Sequence, residues 1–293
     1  MRLGILTYTL LAAAPMFAAT AADSLTVAQK SAAEATGFAG FAALPFTNPA
    51  VRPLQRGYSY SQARLGYSSQ LQTRAATIEK GRGEQKGFFA ADAFIHSGSS
   101  TVWGSAAYHN GRILGMNLCE SPDYDKVYPY VIADTIGGNQ SVERYIFSGG
   151  YAHSGDNVSW GVSLGYVAGL YYRQVDPRPK TISGQLNIAA GVTFRIGGYD
   201  LGPALQFERY RQSTSISFVS EMGDSKLYHL TGLGTDYARF AGSGANVFSD
   251  GYTYTLGADL YPRRGSGAFA SARFSLMAMR HVVSDLNKLT LGN

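Results

Sequence analysis

The sequence predicts an all-β fold, namely an antiparallel transmembrane β-barrel that is incomplete and forms an open curved sheet of about 10–12 strands. The first observation is the alternation in Val158–Tyr172, where every even position is apolar and the odd positions are mostly small or polar. This period of two is that of a strand, because successive side chains point to opposite faces. The second is composition, since charged residues make up only 15% of a chain that contains 35 Gly and 20 Tyr. The third is the order of the connections, which alternate between short and long.

The N-terminus predicts export. Arg2 precedes an apolar run over residues 3–14, and Ala19, Thr20 and Ala21 fit the small-residue rule for signal cleavage. Pro15 ends the run short of the roughly 20 residues that a membrane-spanning helix needs. We therefore predict a signal peptide and expect the mature chain to reach the cell outer membrane.

The rest of the chain divides into a lead-in and a series of strands. With a signal peptide over 1–22, the lead-in spans 23–56 and the barrel domain spans 57–293, with its C-terminal part missing. The clearest alternation after Val158–Tyr172 lies in residues 185–196 and 251–261. The predicted strands are 57–67, 71–80, 87–96, 101–109, 112–119, 143–153, 158–173, 185–196, 199–211, 251–261 and 268–279.

Short and longer connections alternate from Lys80 onward. The short ones are 81–86, 110–111, 154–157, 196–199 and 262–267, and the longer ones are 97–100, 120–142, 174–184 and 212–250. Asn110 and Gly111 are predicted as a two-residue hairpin turn, because both residues tolerate positive φ. Outer-membrane barrels have short turns at one end and long loops at the other, so this order favours a membrane barrel over a soluble sandwich.

The two faces of the strands favour contact with lipid. In a soluble strand the face opposite the large residues is charged, whereas here it carries mainly Gly and Ser. Large residues that face lipid and a polar interior are typical of membrane barrels. Aromatic residues near the strand ends suit interfacial girdles, and they are Trp160, Tyr171, Tyr172, Tyr199, Tyr210, Tyr252 and Tyr261.

Four segments carry a resemblance to a known family. They read YPYVIADTIGG (128–138), YIFSGGYAH (145–153), YRQVDPRPK (172–180) and GLGTDYARFAG (232–242). Over about residues 87–279 the chain resembles uncharacterised outer-membrane barrels of Bacteroidota, a domain of unknown function. The resemblance implies an outer-membrane barrel and supplies no catalytic residues.

The strand count predicts that the chain is a fragment. We count about eleven strands, whereas single-chain bacterial barrels have an even number. An odd count leaves an unpaired edge, which is costly in lipid. Because members of the resembled family are also longer, we expect a sheet whose first and last strands do not pair.

We expect no enzymatic activity and assign no catalytic residue. Barrel phospholipases carry His and Ser two residues apart on one strand, followed by Asn-Gly. His153 and Ser154 are adjacent, so in a strand they point to opposite faces, and His109 is followed by Asn110 and Gly111 without a serine. A lipid-acting enzyme and a secreted soluble β-protein are the alternatives.

No cofactor or metal is predicted. Asp123, Asp125 and Asp134 flank residues 128–130 and offer oxygen ligands for Ca²⁺, but they lack EF-hand spacing and a solvated loop is favoured. The single Cys119 excludes an internal disulfide framework and a CxxC metal motif.

Two sets of residues are candidates for a site. The most specific family element is a stiff loop, predicted to organise one barrel rim or to bind, and it consists of Asp176, Pro177, Arg178, Pro179 and Lys180. The charged residues predicted to face inward and line the lumen are Arg195, Asp200, Glu208, Asp259 and Arg273.

The expected function is that of a pore, a transporter or a structural component of the surface. The partners are outer-membrane lipid and, for a pore, a small solute, while protein partners are not predicted. Nucleic acid is excluded, because the net charge of +5 is spread over the chain without a Lys/Arg block. Asn48, Pro49 and Ala50 resemble the start of barrels that transport hydrophobic molecules.

Overall fold

The structure is a computed structural model that describes most of the chain. The described residues are 5–10, 26, 28–29, 48–55, 57–219, 226–233, 235–240, 245–262, 270–285 and 288–292. The predicted signal cleavage site and most of the predicted lead-in lie outside them.

Most described residues belong to strands and very few to helices, which confirms the all-β prediction. In chain order the strands are β1 (Ile5–Leu10), β2 (Tyr60–Leu71), β3 (Gly83–Ser97), β4 (Ser100–Met116), β5 (Ile132–Ala133), β6 (Gly138–Ser154), β7 (Val158–Tyr172), β8 (Arg178–Ile196), β9 (Tyr199–Ser217), β10 (Lys226–Gly232), β11 (Thr235–Phe240), β12 (Ala245–Pro262), β13 (Ala270–Asp285) and β14 (Lys288–Gly292). The described helices are one α-helix, α1 (Tyr124–Val127), and the 3₁₀ helices Pro49–Gln55 and Ile78–Lys80.

Eleven of the strands form one antiparallel sheet. Their order is β1-β2-β3-β4-β6-β7-β8-β9-β12-β13-β14, so nearly every strand pairs with its neighbours in sequence. In the described part of the chain β1 and β14 lie at opposite edges and do not pair, which confirms the predicted open sheet. The stretch predicted as a leader supplies one of these edges, because β1 pairs with residues 65–70 of β2.

The connections are sorted by end of the sheet. At one end, the turn end, strands are joined through Gly98 and Ser99, through residues 155–157, and through Gly197 and Gly198. At the other end, the loop end, the connections span 72–82, 117–137, 173–177 and 218–244. Two of these long connections meet in a second sheet of order β11-β10-β5, which covers the loop end.

The prediction of a hairpin at Asn110 and Gly111 is wrong. Both residues lie within β4, where Gly111 pairs with Lys86 on β3 and with Val142 on β6. A Cβ added to Gly111 would lie 2.0 Å from the carbonyl oxygen of Gln85. The glycine therefore allows close approach between strands, and it does not make a turn.

Two further boundaries differ from the prediction for related reasons. Residues 71–80, predicted as a strand, form most of the connection from β2 to β3 with its 3₁₀ helix. Residues 97–100, predicted among the longer connections, form a tight turn with Gly98 at a φ of +58°. Merging the predicted strands at 101–109 and 112–119 restores the alternation of loop lengths.

The two faces of the large sheet differ sharply. We call the inner face the one against which residues 48–55 and 117–137 pack, and the outer face its opposite. Side chains of even number on β7 and β8 and of odd number on β9 point to the outer face, and large apolar ones are exposed there: Val158, Trp160, Val162, Leu164, Tyr166, Ile182, Ile188, Phe194, Ile196, Leu201 and Leu205. The large face of β7 is therefore not covered by any described part of the chain.

Candidate functional site

A belt of small polar side chains crosses the middle of the inner face. Backbone register aligns it across nine strands, and each member bonds a neighbour. The polar belt consists of Gln62 and Asp92 (2.8 Å), Ser105 and Ser148 (2.7 Å), Asn187 and Gln206 (3.0 Å), and Thr255 and Ser275 (2.8 Å). At the same level the outer face carries Phe147, Leu164 and Ile188. The sheet is therefore polar on its inner face and apolar on its outer face at this level.

On the turn-end side of the polar belt, residues 48–55 lie against the inner face. Asn48 is fully buried and its amide nitrogen donates to the carbonyl oxygen of Pro203 at 3.3 Å. Its side-chain oxygen accepts the backbone N–H of Ala50 at 2.9 Å, and its carbonyl oxygen accepts that of Val51. The side chain therefore holds the start of the segment and joins it to β9. We call this stretch the 48–55 segment.

Glycines on three adjacent strands make room for the 48–55 segment. A Cβ on Gly161 of β7 would lie 2.7 Å from the carbonyl carbon of Pro49. On Gly191 of β8 it would lie 1.9 Å from the side-chain oxygen of Asn48, and on Gly202 of β9 it would lie 2.8 Å from that residue's side-chain nitrogen. The three glycines form a hollow, in which Gly161 lies against the Pro49 backbone and Gly191 and Gly202 lie against the Asn48 side chain.

On the loop-end side of the polar belt, the connection from β4 to β6 folds inward. We call residues 117–137 the 117–137 loop. The Ser121 hydroxyl donates to the side-chain oxygen of Gln212 at 2.8 Å, and the Tyr210 hydroxyl lies 2.8 Å from Asp123. Lys126 of α1 donates to Gln185 at 2.5 Å and lies 3.6 Å from the Glu208 carboxylate. The loop is therefore bonded to β8 and β9 along the inner face.

Apolar packing completes the loop end. Cys119, Val127 and Val131 of the 117–137 loop are buried with Tyr210 of β9 in one cluster. A second cluster joins Ile132 to Ile216, Leu227 and Val247, on three other strands. Burial raises the pKa of the Cys119 thiol to about 12, so this cysteine is unreactive near neutral pH.

Three buried charged side chains fix the base of the 117–137 loop. The Arg173 guanidinium, which follows β7, contacts the carboxylates of both Asp134 and Glu120, with 3.2 Å to the latter. All three side chains are at most 3% exposed. Asp134 also accepts the backbone N–H groups of Ile136 and Gly137 at 2.7 Å each. We call these three residues the buried triad.

The pKa values of the two carboxyl groups in the buried triad are shifted in opposite directions. Burial raises the pKa of Glu120 well above its ordinary value, and the neighbouring Asp134 raises it further. Burial would also raise the pKa of Asp134, but hydrogen bonds from Glu120, the Gly137 amide and Arg173 lower it overall. The single guanidinium can therefore balance one carboxylate, and the two shifts favour the protonated form of Glu120 with a hydrogen bond to the Asp134 carboxylate.

The family element is built around the same arginine. Arg173 donates to the carbonyl oxygen of Pro177 at 2.8 Å and to that of Val175 at 3.2 Å. Asp176 pairs with Arg178 at 2.7 Å and accepts the backbone N–H of Val219 at 3.0 Å. Pro179 and Lys180 follow Arg178 at the start of β8, and the Pro179 carbonyl accepts the Arg173 backbone N–H at 3.1 Å. The contacts organise this rim of the sheet; they bring no further group together for a ligand.

The predicted lumen residues all lie on the inner face by strand register, but they do not form one group. Asp259 is buried and pairs with Arg273 at 2.6 Å across β12 and β13. Glu208 faces Lys126 of the 117–137 loop. Arg195 and Asp200 stand opposite each other beside the turn between β8 and β9.

The three aspartates considered for Ca²⁺ do not converge. Asp134 belongs to the buried triad, Asp123 contacts Tyr210, and Asp125 pairs with Lys80 at 2.5 Å on the surface. Within the described residues no cluster of three or more His, Cys, Asp or Glu side chains is arranged to hold a metal ion. None of the described helices is long and apolar enough to cross a membrane.

The structure does not bring His153 and Ser154 to the same face of the strand, as the lipid-acting alternative would require. His153 points to the outer face, where its ring stacks 6.4 Å from Trp160, while Ser154 ends β6 on the other face. His109 lies against Phe88 on the inner face, and Asn110 follows it within the strand.

Glu120 and Arg173 were not among the residues predicted from the sequence. Asn48 was noted there only for its resemblance to the start of other barrels. Glu120 and Arg173 lie 53 positions apart at the ends of different strands, so no local pattern joins them. The signal that was available is Arg173 immediately before the Pro-rich element, because a stiff loop presents carbonyl groups to a neighbouring guanidinium.

Comparison with known proteins gives a family. A family of unknown function, DUF6850, matches residues 49–293. The chain belongs to this family. The match confirms that the chain belongs to an uncharacterised family, and the matched residues include the 48–55 segment from Pro49 onward. No curated protein and no solved structure matches the chain.

Proposed function

We propose that this DUF6850 protein is an outer-membrane β-barrel protein without enzymatic activity. Its outer face meets lipid, and its inner face lines a polar interior that the 48–55 segment and the 117–137 loop narrow from opposite ends. In this proposal it serves as a gated pore or transporter, or as a structural component of the surface. The resemblance to Bacteroidota outer-membrane barrels and the predicted signal peptide support the location.

The observation that carries the proposal is the sorting of side chains by face. Leu164 is 55% exposed and Leu205 is 64% exposed on the outer face, with no described residue to cover them. The inner face at the same level bears the hydrogen-bonded polar belt. Water on the inside and hydrocarbon on the outside explain both, since burying an apolar side chain removes about 1.5–3 kcal/mol of unfavourable hydration.

The 48–55 segment and the polar belt support a restricted passage. The polar belt offers hydroxyl and amide groups and one carboxylate, that of Asp92, whose charge Arg64 balances at 3.1 Å, and this suits water or a small neutral solute. The resemblance of Asn48, Pro49 and Ala50 to barrels for hydrophobic molecules favours a transporter as a variant.

Fractionation of the native full-length protein tests the location. The protein should sediment with outer membranes, and in detergent gels the unboiled sample should migrate differently from the boiled one. Recovery as a soluble protein with no shift on boiling would overturn the proposal and favour the secreted β-protein.

Two adjacent substitutions test the assignment of faces. Leu205→Arg places a charge on the outer face, and the cost of a charge in the middle of a bilayer is about 2–4 kcal/mol. Gln206→Arg places the same charge on the inner face, where the side chain is exposed and its neighbours are polar. We expect Leu205→Arg to abolish folding into vesicles and Gln206→Arg to preserve it; equal behaviour would contradict a lipid-facing outer surface.

A further inference from the structure

Beyond the proposed function, on which it rests, we infer that the outer face carries a binding site for the phosphate group of a membrane lipid. The site consists of Arg209 and Arg211 on β9, Arg280 on β13, and Asp250 and Tyr252 on the intervening β12. Nothing in the proposed pore or structural role requires these residues.

Two guanidinium groups contact one carboxylate in this cluster, and a third arginine lies opposite it by strand register. Backbone register places Asp250 of β12 directly opposite Arg211 on one side and Arg280 on the other. The Asp250 carboxylate lies 3.4 Å from Arg209 Nε and 3.9 Å from Arg211 Nε. These are loose contacts, and the cluster keeps a net charge of two positive.

The cations of the cluster remain accessible from outside. The Arg211 side chain is 68% exposed, that of Arg209 is 38% exposed, and Arg280 is exposed as well. Each guanidinium has five N–H donors in a planar fork, which matches two phosphate oxygens at once. Asp250 has only two carboxylate oxygens, so it cannot accept from most of the N–H donors of the three arginines.

The position of the cluster selects a lipid over a free anion. On the turn-end side, the same strands present only apolar and aromatic groups to the outer face, from Phe207 to Leu201 on β9 and from Tyr252 to Leu260 on β12. The Arg209 guanidinium lies 5.3 Å from the centroid of the Tyr252 ring, and Phe207 lies 5.3 Å from that of Tyr254. A phosphate held by the arginines would therefore have its acyl chains directed along the apolar part of the face.

The geometry also explains why arginine occurs here. A cation at the edge of an apolar band costs little only where it meets interfacial water or an anionic headgroup. Arginine suits both, because the Arg209 guanidinium lies over the Tyr252 ring while the side chain stays partly exposed.

Binding to the full-length protein in detergent, read by native mass spectrometry, tests the site. The probes are phosphatidic acid, diacylglycerol with the same chains, and inorganic phosphate. The variant Arg211→Gln/Arg280→Gln removes two cations from the cluster. The control Arg64→Gln/Arg112→Gln removes two cations outside it, since Arg64 faces inward and Arg112 lies between Gln85 and Ser141 on other strands.

We expect the wild type and the control to retain phosphatidic acid. The cluster variant should bind it at least about tenfold more weakly. Equal loss in both variants, equal retention of diacylglycerol, or equal binding of inorganic phosphate would overturn a lipid-phosphate site.

A parallel measurement separates this inference from the proposed function. Wild-type protein is mixed with phosphatidylcholine vesicles, with and without phosphatidic acid, and extracted with carbonate. Insertion into both vesicles without preference for phosphatidic acid overturns the lipid-phosphate site alone. Failure to insert into either overturns both proposals.

Discussion

The two segments that occupy the inner face are held by opposite means. The 48–55 segment, at the turn end, is fixed by close contact of its backbone with Gly161 and of the neutral Asn48 side chain with Gly191 and Gly202, and by the Asn48 hydrogen bond to Pro203. The 117–137 loop, at the loop end, is fixed by the buried triad and by apolar clusters. The first device contains no titrating group, whereas the second depends on the placement of one proton. The same sheet therefore holds one insert by shape and the other by charge, and we expect only the second to respond to pH.

Removing the central cation is the strongest way to break this comparison. Arg173→Met leaves the Asp134 carboxylate buried without its partner, and we expect a loss of about 3–5 kcal/mol in the free energy of unfolding. Urea unfolding of the protein in detergent measures it. The control is Arg178→Met. The Arg178 side chain pairs with Asp176 but is 41% exposed, so the loss there should stay below about 1 kcal/mol. Similar losses in both would show that the triad is not the anchor.

Filling the glycine hollow tests the other side of the comparison. Gly161→Ala forces a Cβ against the Pro49 backbone, and we expect a loss of about 1–3 kcal/mol together with release of the 48–55 segment. Gly165→Ala is matched on the same strand and face, where the nearest atom to the new Cβ is 3.6 Å away. Hydrogen exchange at Ala50 and Val51 reports the release. Unchanged exchange in Gly161→Ala would mean that the hollow does not hold the segment.

Titration sharpens the contrast between the two ends. Because folding raises the pKa of Glu120, its contribution is full below the ordinary glutamate pKa of about 4.3 and is lost as the pH rises through the folded value. Glu120→Gln keeps a neutral side chain, so its stability relative to wild type should rise by about 1.4 kcal/mol per pH unit across that range.

Asp134 adds a decline at the acid side. Its pKa is lowered on folding, so its contribution is lost as the pH falls through that lowered value. Hydrogen exchange of the 117–137 loop should therefore be slowest at a pH between the lowered pKa of Asp134 and the raised pKa of Glu120. Exchange at Ala50 should not change with pH after correction for intrinsic rates. A parallel pH dependence at both ends would contradict the distinction.

The smallest expected effect concerns the outermost contact of the loop. Lys126→Met removes a partly exposed cation that meets Gln185 and Glu208, and we expect a loss of about 0.2–1 kcal/mol. Amide exchange in α1 measures this change. A loss as large as that of Arg173→Met would move the anchor from the buried triad to α1.

Much of the sheet was predictable from the sequence, because period-two alternation reports which residues face which side. Val158–Tyr172, 185–196, 199–211 and 251–261 all lie within observed strands. The error at Asn110 and Gly111 shows the limit of local turn rules. Glycine serves both turns and close strand contact, and only the packing of Gly111 against Gln85 distinguishes them.

The inserts were less predictable than the sheet. Their contacts join residues far apart in the chain, such as Asn48 with Pro203 and Glu120 with Arg173. Neither pair leaves a periodic pattern, because each belongs to irregular backbone that the tertiary fold alone brings together. Asp176 and its neighbours were singled out from the sequence as a stiff loop that organises a rim or binds, whereas the arginine they surround was not.

The bond between Asn48 and Pro203 also sets an order of assembly. It closes a stretch of 155 residues, whereas most strand pairs in the sheet join adjacent segments. Closing so long a stretch is slow when the chain between is unfolded, and the glycine hollow exists only once β7, β8 and β9 have paired. We therefore expect the 48–55 segment to dock last, after β7, β8 and β9 have paired. A sheet that folds first would present the glycine hollow open to a separate short peptide with the sequence of residues 48–55.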